Sequence, residues 1–367
     1  MTLRRSVSWI ALLLALVVAV PPAAAQVPRM ISVYEILDVG DAPVQNCSCI
    51  GAPFTLPLMP GPDYASGAAS PLHRPELSAE QRARAARAQA DERARIGLQA
   101  EHGLAGNPAS SLSVALFLSV EAAIVQDSTP VDAETVRWLH LAATQEQHDA
   151  FRLLGYHYAH GRGVAQDYGA AAYWFAQGAR RDDPISMTAL GLLLATGRGV
   201  PQDWDAAVRW WQRAQSRTPL AGRFAADAYA CGLGTPLDLA RAAATYKSVA
   251  ERELSASVQL GHMYVNRCAD GGDDAAVKAF QGPADQGMPD AQIALSELVR
   301  EGRGTDPNPY QAYTLARFAE LRLPDGPLKA LAAEQAKRAE RLTMREALVM
   351  QERMIQDMIA RAAKPIR

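Results

Sequence analysis

Paired glycines return along this chain at a fixed step, and that step leaves few folds open to it. Gly-Arg-Gly stands at Gly161–Gly163, at Gly197–Gly199 and at Gly302–Gly304, with a Gly-Leu-Gly variant at Gly232–Gly234. The intervals are 36, 35 and 70 residues, the last being twice 35. A motif recurring at that period marks a stacked array, in which each unit buries an apolar face that it cannot cover alone. Arrays of this kind usually bind other molecules rather than transform them.

The unit reads as two helices. Phe151, Leu154, Gly155 and Tyr158 lie at i, i+3, i+4 and i+7, one face of a helix A that the first glycine pair then ends. Asp167 can cap a helix B whose Ala171, Trp174, Phe175 and Gly178 share a face. The frame recurs with Leu190, Gly191, Asp203, Ala207, Trp210 and Trp211, then with Ala226, Tyr229, Asp238, Ala242 and Tyr246. Weaker copies follow through Leu260, Gly261, Tyr264, Ala276 and Phe280, and through Leu295, Ser296, Asn308, Ala312 and Ala319. A degraded first copy spans Ser111 to Thr144, making about six units. The copy near Gly261 has lost its Gly-x-Gly, and the one near Ser296 has Leu315 and Ala316 where the aromatic pair belongs.

The pattern Leu-Gly-x-x-Tyr, Gly-x-Gly-Val, Asp, Ala, Trp-Tyr, Ala-Ala resembles the Sel-1-like repeat family, relatives of the tetratricopeptide repeats. The resemblance covers roughly Ser111 to Leu321. It implies an all-α fold, a right-handed α-α superhelical solenoid of helical hairpins over 111–322. An irregular segment at 26–77 and an N-terminal helix at 78–104 would precede it, and one or more capping helices at 323–367 would follow. A low aromatic share, 7%, suits helices brought close by small side chains.

The first 25 residues read as an export signal rather than as part of the fold. Arg4 and Arg5 precede an apolar core from Ile10 to Val20, and Ala23-Ala24-Ala25 offers a cleavage site before Gln26. That core is too short for a membrane span. A periplasmic or secreted product of the general secretion route is expected. Its formal charge would be −4 rather than −2, which points neither to nucleic acid nor to an anionic membrane.

Four cysteines fit an oxidising compartment. Cys231 and Cys268 each follow a helix A in neighbouring units, so a disulfide between them is expected. Some exported relatives carry a disulfide inside each repeat, a pattern this chain lacks. Cys47 and Cys49 form a Cys-Ser-Cys pair beside a proline- and glycine-rich stretch, and a structural role fits them better than redox chemistry, whose usual spacing is two intervening residues. The arginine-rich helix at 78–104 reads as a solvated face or, alternatively, a basic docking face. Met344, Met350, Met354 and Met358 in the C-terminal stretch would serve a cap or offer a pliable partner strip.

No catalytic signature stands in the sequence: no zinc-protease helix motif, no nucleophile elbow, no Ser-x-x-Lys with Lys-Thr-Gly, no phosphate loop. Some exported relatives have been described as binding or hydrolysing penicillin-type compounds, which keeps an envelope enzyme acting on peptidoglycan or a β-lactam-like amide as the alternative. No cofactor is implied. His148, His157 and His160 are near in sequence, but nothing beside them completes a metal site.

By the resemblance, helix A lines a concave groove and the positions flanking its framework face a ligand. Here these are Arg152, Tyr156 and His160, then Thr188 and Leu192, Arg223 and Asp227, His262 and Asn266, and Glu297 and Arg300. Their mixed charge and aromatic content suit a peptide or protein partner in the cell envelope.

Overall fold

The computed structural model describes Cys49, residues 99–122 and 129–343, and residues 349, 352–357 and 359. The export signal, Cys47, the proline- and glycine-rich stretch other than Cys49, residues 78–98 of the arginine-rich helix, and Met344, Met350 and Met358 lie outside the described residues. Among the described residues there are helices and turns and no strands.

The helices are α1 (Pro108–Ala122), α2 (Thr129–Thr144), α3 (His148–His160), α4 (Tyr168–Arg180), α5 (Pro184–Thr196), α6 (Trp204–Ala214), α7 (Pro219–Cys231), α8 (Leu239–Val249), α9 (Leu254–Val265), α10 (Gly272–Asp285), α11 (Pro289–Glu301), α12 (Pro309–Arg322) and α13 (Pro327–Glu340). They fall into two compact units, one built on Gly61–Gln202 and one on Asp203–Pro365 together with Val39–Pro60.

Each unit is a run of α-α solenoid. In the first, α1 packs on α2, α2 on α3, α3 on α4 and α4 on α5, and the two A helices α3 and α5 also touch. The degraded copy read at Ser111 to Thr144 is therefore a genuine hairpin. In the second unit the sequence runs α6 to α13 with every neighbouring pair in contact, and the A helices α7 and α9 touch.

Capping sets the hairpin ends. Asp167, Asp203, Asp238 and Asn308 stand at the same slot before helix B, and each accepts a hydrogen bond from a backbone N–H three residues on, at 2.8–3.0 Å. Glutamines before two of these caps add a second tie: Gln166 donates to the Ala159 carbonyl at 2.8 Å and Gln202 to that of Ala195 at 2.7 Å.

The second glycine of each pair explains the motif. Gly163 holds φ 70°, and a methyl group there would collide with the backbone of Asp132 at the start of α2. Gly304 meets Asp273 at the start of α10 in the same way, with φ 68°. A side chain at either point would strain the backbone and push successive hairpins apart. The arginine between the glycines adds a charged link across the same joint. Arg162 donates to Asp132 at 3.1 Å, and Arg303 reaches both carboxylate oxygens of Asp273, at 3.3 and 3.0 Å.

Small residues on helix A make room for aromatics on helix B. A methyl on Gly155 would lie 2.5 Å from the Phe175 ring, and one on Gly261 2.7 Å from that of Phe280. Phe175 and Phe280 are fully buried in consequence, and Trp211 and Tyr246 are fully buried as well. The first unit's core gathers Leu139, Phe151 and Leu154, with Trp138, Tyr158 and Trp174 packed against it. The second unit's core gathers Phe280, Leu295 and Leu298, reaching Ala312 and Ala339. Ala316, where an aromatic is absent, is itself fully buried, so that hairpin closes on a small side chain.

α13 packs on α12 and α11 and covers the last hairpin. Beyond it, Tyr313 donates to Glu352 at 3.1 Å, Arg317 lies 3.6 Å from the same carboxylate, and Ile355 is fully buried. The tail thus folds back onto α12.

The expected Cys231–Cys268 disulfide is not formed. Cys268 is bonded to Cys49, 219 residues away in sequence, with Cα atoms 5.7 Å apart. A cysteine sulfur forms one disulfide, so the bond to Cys49 takes Cys268 out of any pairing with Cys231.

Candidate functional site

The best-formed part of the expected face lies on α3. Arg152, Tyr156 and His160 recur every four residues and so share one side of the helix. The Tyr156 and His160 rings are 4.6 Å apart, and Arg162 swings back from the glycine turn so that its guanidinium lies 5.9 Å from the Tyr156 ring centre and donates to its hydroxyl at 3.4 Å. Arg152 is held by Asp149 at 2.8 Å. All three expected residues are half-buried, and the Nε atom of Arg152 and the Nε2 atom of His160 are themselves shut off from solvent.

Arg162 was not among the expected residues, although a signal for it existed. An acid stands 30 residues before the central arginine in two copies, Asp132 for Arg162 and Asp273 for Arg303, as a joint-spanning ion pair requires. Beneath the strip, His157 is buried and its Nδ1 donates to the Arg162 carbonyl at 2.8 Å. Burial holds the His157 pKa below the ordinary histidine value. The strip therefore rests on a neutral imidazole that fixes the turn.

Four of the expected groove residues are inside the protein and cannot meet a partner there. Thr188 and Leu192 on α5 are 0% and 1% exposed, because that helix is apolar on nearly every side and is buried all round. The Thr188 hydroxyl turns back to the Pro184 carbonyl at 2.7 Å. Arg223 and Asp227 on α7 are both fully buried and pair with each other at 3.0 Å, while the Tyr246 hydroxyl donates to the other Asp227 oxygen at 2.5 Å. Burial first, and the Asp227 charge second, raise the Tyr246 pKa well above its usual value, so the phenol stays protonated. This charged pair is an internal strut, not a recognition surface.

In the second unit His262 sits at the slot that Tyr156 fills on α3. It lies edge-on to Phe280, centroids 5.1 Å apart, and burial draws its pKa down to about 4. Asn266 is exposed at the end of α9. On α11, Glu297 and Arg300 are half-buried and Arg300 pairs with Glu301 at 2.6 Å. The turns after α9 and α11 meet at Asp273, which accepts from Arg267 at 2.9 Å and from Arg303. The hydrogen bond from Arg303, ahead of the other charges, holds the Asp273 carboxyl below its usual range. The second unit therefore presents a salt-bridged edge where the first presents an aromatic one.

No group of three or more histidine, cysteine or acidic side chains is placed to hold a metal among the described residues. His148, His157 and His160 do not converge into one.

The family comparison agrees with this repeat reading. The Sel1 repeat family model matches residues 149–183, 184–214 and 289–319. Those spans take in α3 to α6, α11 and most of α12; the hairpins α1–α2, α7–α8 and α9–α10 form without a match. Among solved structures, the chain is similar to a Sel1 repeat protein from Oxalobacter formigenes, at 21% identity, TM-score 0.49, over 53% of this chain and 81% of that one. It is also similar to a protective antigen of uropathogenic Escherichia coli displaying an SLR fold, at 17% identity, TM-score 0.43, over 72% of this chain and 79% of that one. No curated protein matches the sequence.

Proposed function

Three stretches of this chain are Sel1 repeats, and from that premise we propose that it is an exported interaction scaffold whose α3 face grips a peptide or a folded protein of the cell envelope. The observation that carries the reading is the strip of Arg152, Tyr156 and His160, closed at one end by Arg162. It joins a cation, a tilted aromatic pair and a hydroxyl on one helix, residue types that carry much of the binding energy at protein interfaces. Framework residues such as Leu154, Gly155 and Phe175 build the stack, and the strip chooses the partner. The signal-like first 25 residues support export, and no helix among the described residues is long and apolar enough to cross a membrane.

Crosslinking in intact cells, followed by mass spectrometry of what is joined to α3, identifies the partner. Arg152→Ala with Tyr156→Ala is expected to weaken binding of that partner by about a hundredfold with helical content unchanged. Equal affinity in the double variant would refute the assignment.

A further inference from the structure

We propose that His157 is the positioning residue of the α3 strip and its proton-controlled release: the neutral imidazole keeps Arg162 on Tyr156, and protonation turns Arg162 out so that the strip lets go of what it holds. This role rests on the reading of α3 as the recognition face.

The sequence sets the residue apart. His157, Leu193, Ala228, Met263 and Leu298 stand at one slot of helix A, at intervals of 36, 35, 35 and 35 residues. All five are buried, and each accepts at its backbone carbonyl the N–H of the residue five positions on. Four of them are apolar, as a position inside the stack favours. Of the five, only the one on α3, the helix that carries the strip, is titratable. A local departure from the framework rule at that helix points to function rather than packing.

The imidazole gives its turn a second tie. The Arg162 N–H donates to the His157 carbonyl at 3.0 Å, and His157 Nδ1 donates back to the Arg162 carbonyl at 2.8 Å. A carbonyl only accepts, so Nδ1 carries the proton and Nε2 is bare in the neutral ring. With its peptide held at both ends, Arg162 reaches the Tyr156 hydroxyl at 3.4 Å and Asp132 at 3.1 Å.

A second proton on His157 leaves the Nδ1 bond in place and changes the charge. The groups facing the ring are Arg162 from the turn, Asp132 from α2, and Tyr156 and His160 on its own helix. No charge on α4 or α5, which also pack on α3, acts on it among the described residues. Asp132 is then the one acid between two cations, and it already serves Arg162. The Arg162 side chain is 38% exposed whereas His157 is buried, so the guanidinium is the cation that moves out to water. Tyr156 loses the donor on its hydroxyl, and the strip loses the cation that closes it. Burial favours the neutral ring and sets the change below the ordinary histidine value of 6.5.

The first test uses the full chain without a partner, isotope-labelled at histidine, arginine and tyrosine and followed by NMR from pH ~7 to pH ~4. The neutral ring is expected to carry its proton on Nδ1, and the Arg162 Nε and Tyr156 ring signals are expected to move with the His157 midpoint. His157→Asn keeps a donor for the Arg162 carbonyl and gains no charge, so both signals should stay in place. His157→Leu restores the residue type of α5 and α11 but drops the tie, so both signals should sit at their acid positions throughout. Signals that ignore the His157 titration, a proton on Nε2 in the neutral ring, or unfolding before His157 titrates would each overturn the proposal. With the crosslinked partner in hand, affinity should fall about tenfold over the same interval, the size of one lost arginine contact, and stay level in His157→Asn. A partner that needs Arg152 and Tyr156 but ignores pH refutes the release alone. One that ignores both pH and the Arg152→Ala, Tyr156→Ala pair refutes the α3 face itself.

Discussion

The turn after α3 and the turn after α9 do the same job by different means. After α3, Gly161 and Gly163 take left-handed angles, the backbone presses onto the start of α2, and Arg162 ties the joint through Asp132. After α9 the glycine pair is gone, Arg267 takes the left-handed position at φ 59°, and Cys268 is tied covalently to Cys49. The difference teaches that the repeat period depends on fixing the turn and not on glycine as such. A chain that loses close backbone contact at one joint can hold it with a crosslink.

The sharpest way to break this comparison is to remove the crosslink. Closing a loop of 219 residues is nominally worth about 5 kcal/mol. That figure is the ceiling for Cys268→Ser, since Cys231 is disulfide-bonded too, and the loss is expected as a fall in urea midpoint and in amide protection of α9. Protection in α9 equal to that of the unaltered chain would show that the turn is held by its packing alone.

Next in size is the glycine joint. Gly163→Ala must place a methyl against the Asp132 backbone from a left-handed position, and about 3 kcal/mol is expected to be lost. Gly282→Ala on α10 is the matched control, since a methyl there meets nothing, and helix propensity favours alanine by up to ~1 kcal/mol. Equal midpoints for the two variants would remove the close approach as the reason for the motif.

Much of this architecture could be read before any coordinates. The glycine period marked the turns, and the acids at positions 167, 203 and 238 and Asn308 all proved to be caps, because both features are local chemistry repeated in register. The candidate face was legible only in part. Arg152, Tyr156 and His160 share a helix side by spacing alone, but whether a residue at that slot reaches solvent depends on what packs over it. Arg223 and Asp227 satisfy each other four residues apart and so tolerate burial that a lone charge would not. The disulfide was hidden for a different reason: four cysteines allow three pairings, and spacing along the chain does not measure the gap between helix ends.

The smallest expected effect separates the two faces by pH. Tyr156 and His262 fill one slot in two repeats, and His262 is the one that burial moves, from the ordinary 6.5 to about 4. The folded state thus binds fewer protons than the unfolded one between those values, and stability rises with pH there. The contribution is complete above pH 6.5 and is lost as the pH falls toward 4, with about 2 kcal/mol gone between pH 7 and pH 5. His262→Phe keeps a ring against Phe280 and cannot titrate, so the unaltered chain should lose about 2 kcal/mol more than this variant over that interval. Parallel pH curves for the two proteins would mean that the imidazole is solvated in the folded chain. The α9 slot would then be as open to a partner as the one on α3, and the contrast between an aromatic edge and a closed, salt-bridged one would fail.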